Sequence, residues 1–333
     1  MFPRRLLLFA IVVSVGCQDS QSESTASNGS KSGGEKTYRI AVIPKGTTHD
    51  FWKSIHAGAQ RAADELPNVE VIWKGTLDET DKEQQIKIVE GFIVDRVDGI
   101  CLAPIDRDAL VPVVRRAKKR EIPVVIFDSA LSDEESIVSY VATDNYHGGV
   151  LAAEHLGQIM NETGDVILVR NQEGSESTEQ REAGFLDTLK KFPNINMLSD
   201  NQRVNSMAEH ALQISSSLMV AHGGEVDGIF TVCEPINTGM LRALENSKLD
   251  GKVLFVGFDS APRFVSALRE KKMHGIVLQD PVQMGYLAVK TIVAHLNGEE
   301  VEPRIPTGEY LATPENMDDP KMDQLLHPAK FDE

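Results

Sequence analysis

The stretch Ile40–Trp52, IAVIPKGTTHDFW, decides the reading of this chain. Its apolar opening predicts a buried strand. A Pro, a Gly, two Thr and His49 then make a polar loop. Asp50 stands where a helix N-cap belongs, and Phe51 and Trp52 follow at once. A strand that opens through a polar loop into a helix is the first half of a βαβ unit, and in sheets built from such units ligands sit at the carboxyl ends of the strands. Two adjacent aromatics at that point suit a pocket wall better than a core. The rest of the chain is expected to build a cleft around this loop.

Downstream the same rhythm repeats. Strands are expected at Tyr38–Pro44, Val69–Lys74, Gly99–Ala103, Pro123–Asp128 and Tyr140–Thr143, separated by helices over Asp50–Glu65, Asp81–Asp95 and Asp106–Arg120. A second series follows. Its strands are Val166–Arg170, Asn196–Ser199, Gly228–Val232, Val253–Asp259 and Gly275–Leu278, and a long helix over Pro281–Asn297 opens on proline. Two runs of alternating strand and helix mean α/β architecture with two doubly wound parallel sheets. The acidic, Pro-punctuated segment 316–333 is expected to pack loosely on the surface.

Upstream lies a targeting segment. Arg4 and Arg5 precede the apolar run Leu6–Val15, which is short for a membrane span. It ends in Val-Ser-Val-Gly-Cys, which resembles the bacterial lipobox. By that resemblance residues 1–16 are a lipoprotein signal peptide and Cys17 becomes the lipidated first residue, anchoring the chain to a membrane. A plain secretory signal with an incidental cysteine is the other reading; both export the protein. Residues 17–37 are rich in Ser, Gly, Gln, Glu and Thr and read as a flexible tether.

The 333 residues carry a formal charge of -16, which argues against a nucleic-acid partner, since phosphate binding needs clustered Lys and Arg. No dinucleotide fingerprint, phosphate loop or nucleophile elbow occurs, and the nine histidines show no metal spacing. No cofactor and no metal are expected. Instead, acidic or amide residues recur at strand ends: Asp128, Asp144 and Asn145, Glu234, Asp259 and Gln279. Asp144 and Asn145 read first as helix caps. Asp128, Asp259 and Gln279 converge on one cleft.

These stretches resemble the periplasmic sugar-binding proteins of the ribose/galactose type, which feed ABC importers. The resemblance runs from residue 39 to about 312 and includes DFWKSIHAGAQRAADEL, VDGICLAPID, IPVVIFDS, VATDNYHGG, QREAGF, VGFDSAP and VLQDPVQMG. It implies two lobes, 38–143 with 280–308 and 144–279 with 309–315, joined by a hinge of three crossings near 143–145, 278–281 and 308–310. It implies that Phe51 and Trp52 sandwich a sugar ring, that Asp128 and Asp259 accept its hydroxyls, and that Gln279 lies near an interlobe crossing. Where ribose binders carry other residues, this chain has His49, Ser129, Glu179 (with Arg181 two residues on), Arg203 and Glu234. That set makes the pocket more acidic and points to a polyol or an amino sugar rather than ribose. The implied protein is a monomer that passes a small ligand to an ABC permease and makes or breaks no bond. A sensor docking on a membrane histidine kinase stays open as an alternative. So does a glycosidase using Asp128 and Asp259, since paired carboxylates across a cleft are its needed geometry.

Overall fold

The computed structural model describes residues 37–331. The expected signal peptide, Cys17 and the expected tether up to residue 36 lie outside them.

The first lobe is a six-stranded sheet of β1 (Tyr38–Ile43), β2 (Val69–Trp73), β3 (Gly99–Leu102), β4 (Val124–Phe127), β5 (Ser139–Ala142) and, from far downstream, β11 (Arg304–Pro306). The order is β2-β1-β3-β4-β5-β11 and every pairing is parallel. The second lobe repeats the plan with β6 (Thr163–Asn171), β7 (Asn194–Val204), β8 (Gly228–Thr231), β9 (Leu254–Phe258), β10 (Gly275–Leu278) and β12 (Tyr310–Ala312). Its order is β7-β6-β8-β9-β10-β12, and only β12 runs antiparallel. Strands β3, β4, β8 and β10 are buried along their whole length, as expected of strands covered on both faces by helices.

Helices α1 (Asp50–Glu65), α2 (Lys82–Val94), α3 (Val111–Lys119) and α9 (Pro281–Leu296) cover the first sheet. Helices α4 (Asn145–Ile159), α5 (Glu176–Leu189), α6 (Ala208–His222), α7 (Glu234–Ser247) and α8 (Pro262–Arg269) cover the second. The caps follow the sequence: Asp81 accepts from the Gln84 N–H, and Asp280 from the Gln283 N–H with Pro281 in the first turn. The chain passes between the sheets after β5, after β10 and between β11 and β12.

One packing device occurs in both lobes. Glycines let two helices touch backbone to backbone. A Cβ at Gly58 of α1 would collide with the Val282 carbonyl, and one at Gly285 of α9 with that of Ile55. In the second lobe Gly149 of α4 faces the Arg181 carbonyl of α5, and Gly184 faces that of Tyr146. These pairs set the position of the helix starts that border the cleft.

Three features differ from expectation. Strand β7 runs over Asn194–Val204, well beyond the expected 196–199; its polar residues and two shifts of register against β6 hide it from a period-two pattern. The three-residue strands β11 and β12 carry no pattern of their own and exist through backbone pairing. The segment after residue 316 is not loose. It forms α10 (Pro320–Leu326), and Met317, Leu325 and Leu326 are buried in the second-lobe core. Burying three such side chains at roughly 1.5–3 kcal/mol each is what fixes it.

Candidate functional site

Strand β4 ends in Phe127 and strand β9 in Phe258, each followed by an aspartate. Asp128 has φ 64° and Asp259 φ 75°, both left-handed. The main chain turns out of each sheet there, and each amide still donates to the neighbouring strand: Asp128 to the Val141 carbonyl at 3.1 Å, Asp259 to that of Val277 at 2.9 Å. Non-glycine residues in this region cost energy that surrounding structure must repay. Both carboxylates are thereby brought to the carboxyl ends of their sheets and buried.

Each carboxylate meets one buried cation. Lys45, the residue after Pro44 in the opening loop, places Nζ 2.9 Å from Asp128 Oδ2. That oxygen is charge-paired, and among the described residues it has no hydrogen-bond partner. Arg181 Nη1 lies 3.6 Å from Asp259 Oδ2 and stacks over the Phe258 ring at 3.7 Å. Its Nε donates to Asn145 Oδ1 at 2.9 Å and its Nη1 to the Val232 carbonyl at 2.9 Å. Asp259 also accepts from Gln279 Nε2 at 2.7 Å and from the Glu234 N–H at 3.3 Å. Burial pushes the Asp259 carboxyl up, while Arg181 and Gln279 pull it down; burial prevails.

The third pair is His49 with Glu79. The ring Nδ1 lies 3.2 Å from Glu79 Oε1, which also accepts from Trp52 Nε1 at 2.9 Å. Burial opposes charge on His49, but the hydrogen bond and charge of Glu79 outweigh it and raise the imidazole to about 9. Burial likewise opposes charge on Glu79; His49, Lys45 and the indole N–H lower it to about 2. Glu234 stands differently. Its Oε2 accepts from the Phe51 N–H at 3.2 Å, and among the described residues it makes no ion pair. Burial pushes it up to about 7, against the pull of His49 and the Phe51 amide.

The lobes are closed on each other across this group. Lys45 Nζ donates to Ser177 Oγ at 3.1 Å and Ser175 Oγ at 3.3 Å at the start of α5. The Ser177 N–H donates to Ser129 Oγ at 3.0 Å, Gln172 Nε2 to the Glu79 carbonyl at 2.6 Å, and Asn145 Nδ2 to the Asp128 carbonyl at 3.4 Å.

The structure thus gathers His49, Phe51, Asp128, Ser129, Glu234, Asp259 and Gln279. Phe51 borders the cleft. Trp52 stands behind it, only 2% exposed, its ring edge-on to Phe51 with centroids 4.9 Å apart. Glu179 and Arg203 stand outside. Glu179 pairs with Arg107 at 2.9 Å on the rim, and Arg203 donates to the Asn171 carbonyl and approaches Glu182 at 3.6 Å. The guanidinium of this lobe comes from Arg181, one helical face away from Glu179. The sequence does not single out Lys45 or Glu79, and it marks Arg181 only as lying two residues beyond Glu179. Lys45 lies inside the opening loop, at the end of a buried strand, and that position was the available signal. With it and Arg181, the cleft is charge-paired rather than simply acidic. Asp144 is a helix cap, accepting from the His147 N–H, whereas Asn145 belongs to the cleft.

Two α/β lobes that close over a buried, charge-paired, polar cleft define a two-lobed solute-binding protein. Residues 40–300 match the periplasmic binding protein domain, and the chain belongs to that family. It is a binding protein, not an enzyme. It is 28% identical over 267 residues to the ribose import binding protein of Haemophilus influenzae, covering 80% of this chain and 88% of that one. It is 26% identical to the D-ribose/D-allose-binding protein of Pseudomonas aeruginosa, covering 79% and 84%. Among solved structures, a carbohydrate transporter solute-binding protein of Agrobacterium radiobacter in complex with D-arabinose superposes with a TM-score of 0.84 at 34% identity, covering 87% of this chain and 99% of that one. A solute-binding protein of Agrobacterium vitis with bound D-fucose gives 0.84 at 32%, covering 87% and 100%.

Proposed function

We propose that this chain is an exported solute-binding lipoprotein that captures a monosaccharide or related polyol between its lobes and delivers it to an ABC permease. The observation that carries the ligand class is the pair of buried carboxylates at opposed strand ends, each held in a left-handed turn beside the cleft. Carboxylates only accept, so they suit hydroxyl donors. Among the described residues none donates to the buried Gln279 Oε1, and the Phe51 ring offers an apolar face for sugar C–H groups. Three of the four cleft carboxylates already have a cation, which favours a neutral ligand. The relatives that bind ribose, allose, arabinose and fucose support the same class.

A protonated amino sugar is the second reading, favoured by Glu234, the cleft carboxylate without a cation. A thermal-shift screen over pentoses, hexoses, polyols, amino sugars and nucleosides separates them. A true ligand raises the melting temperature with dose, by mass action. A response to neutral pentoses or hexoses supports the first reading, and a response to amino sugars alone the second. No response to any sugar or polyol overturns both. Phe51→Ala is expected to remove the shift while leaving the unliganded melting temperature nearly unchanged. Lipid anchoring rests on the lipobox-like sequence before Cys17; Cys17→Ser is expected to release the protein from the membrane fraction.

A further inference from the structure

The segment after α10 ties the two lobes together at a fourth place. Its near end is fixed to the second lobe by Met317, Leu325 and Leu326 and by Ser260 Oγ, which donates to the Leu326 carbonyl at 2.7 Å. Its far end sits on the first lobe. Lys330 Nζ donates to Asp50 Oδ2 at 2.6 Å, and the Phe331 N–H donates to the Lys53 carbonyl at 3.1 Å. The Phe331 ring lies on His56, centroids 4.1 Å apart, and His56 stacks on Trp73 at 4.3 Å with planes 4° apart. Asp50, Lys53 and His56 recur every three residues along one face of α1, the helix that presents Phe51 to the cleft. Leu325 of the near anchor and Pro328 beyond it line a narrow space shared with Phe51, Asp259 and Gln279. The tail therefore backs the wall that the cleft residues form.

The span from Leu326 to Phe331 is short. Five residues reach at most about 18 Å at roughly 3.3–3.6 Å each, so the far end has little slack. When the lobes swing apart about the hinge, this link must pull taut or let go of α1. We propose that residues 327–331 are a latch whose docking on α1 holds the lobes closed and positions Phe51, so that opening of the cleft and release of Lys330 and Phe331 are one event. The inference rests on the two-lobed binding reading but not on which sugar is bound.

The test uses no sugar. Spin labels on the exposed positions of Glu83→Cys and Glu173→Cys, one on each lobe, in protein carrying Cys17→Ser, report the interlobe distance; Cys101 and Cys233 are buried. Lys330→Ala with Phe331→Ala removes one charge-assisted hydrogen bond and one ring contact, and is expected to raise the ratio of open to closed protein roughly tenfold. A chain ending at residue 327 is expected to do the same, and Phe331→Tyr to stay closed. Because the second-lobe anchor is intact in each case, the melting temperature is expected to hold. Distances unchanged in both the double variant and the shortened chain overturn the latch. So does a fall in melting temperature without a change in distance.

Discussion

In the second lobe, Asp259 is held by its own lobe on every side: by Arg181, by Gln279 at the crossing and by the amide of Glu234. In the first lobe, Asp128 has the same backbone turn and strand position, but its cation is shared. Lys45 sets its charge against Asp128 while donating to the two serines that start α5 of the other lobe. The two halves of one plan thus do different work. The second-lobe carboxylate is preorganised by partners that all belong to its own lobe. The first-lobe carboxylate has an oxygen with no hydrogen-bond partner among the described residues, and its cation loses two partners when the lobes part.

The difference between the lobes is expected to be most sensitive at Arg181. Arg181→Ala leaves Asp259 buried without its cation and removes the guanidinium from the Phe258 ring. A loss of roughly 3–5 kcal/mol in unfolding free energy is expected, read by denaturant titration, together with loss of ligand response. A loss under 1 kcal/mol would mean that Asp259 is wetted or neutral without Arg181. Next comes Gly149→Ala, whose methyl would strike the Arg181 carbonyl. A cost of about 1–3 kcal/mol is expected from overpacking. Its first-lobe counterpart Gly58→Ala is expected to cost a similar amount, but by displacing α1 and Phe51 instead. If calorimetry finds ligand affinity unchanged in Gly149→Ala, α5 can shift without carrying Arg181 out of place.

Lys45→Met is expected to act on closure more than on folding. Asp128 would lose its cation, but an open cleft lets water reach it. The expected result is a melting temperature within a few degrees of the parent and an interlobe distance shifted toward the open form, by about 1 kcal/mol for the lost charged hydrogen bonds. A large fall in melting temperature at an unchanged distance would make Asp128 as firmly enclosed as Asp259 and erase the distinction between the lobes.

How the two halves could be read from sequence follows the same division. Strand ends are local: a buried apolar run, then Asp128 or Asp259, is visible in a few residues, as are helix starts at Asp81 and Asp280. The cations are not local. Lys45 becomes a site residue only because Asp128, Ser175 and Ser177 arrive beside it, and Arg181 displaces Glu179 from the cleft because one face of α5 looks inward and the other meets Arg107 on the rim. Trp52 shows the reverse. Its place beside Phe51 suggested a ring platform, but successive helical positions point about 100° apart, so one of the two turns into the core. The tail was unreadable for a third reason. Its apolar residues are few, and it is organised by surfaces of two lobes lying far upstream.

The remaining expected effect is a dependence on pH, and it distinguishes the groups beside Phe51 from those on the two strand ends. His49 is raised to about 9 in the folded protein, above its ordinary value of 6.5. A cationic group raised in this way stabilises the fold fully below 6.5, and that contribution is lost as pH rises through 9. Glu234 is an acid raised to about 7, so the folded protein holds its proton more tightly than the unfolded chain. Stability from this group therefore also falls as pH rises, but between about 4.5 and 7. Glu79, lowered to about 2, contributes stability above its ordinary range that is lost as pH falls toward 2. The unfolding free energy is thus expected to decline from pH 5 to 9 in two overlapping stages. His49→Gln should remove the upper stage and Glu234→Gln the lower, each read by denaturant titration at fixed ionic strength. Because Glu234 accepts from the Phe51 amide across the cleft, its stage should appear more strongly in the interlobe distance than that of His49, whose hydrogen-bonded partner Glu79 is in its own lobe and which meets the second lobe only through the charges of Glu234 and Asp259. A His49→Gln variant that abolishes the pH-dependent shift in distance would place the hinge's proton linkage on the imidazole instead of on the carboxyl that faces it.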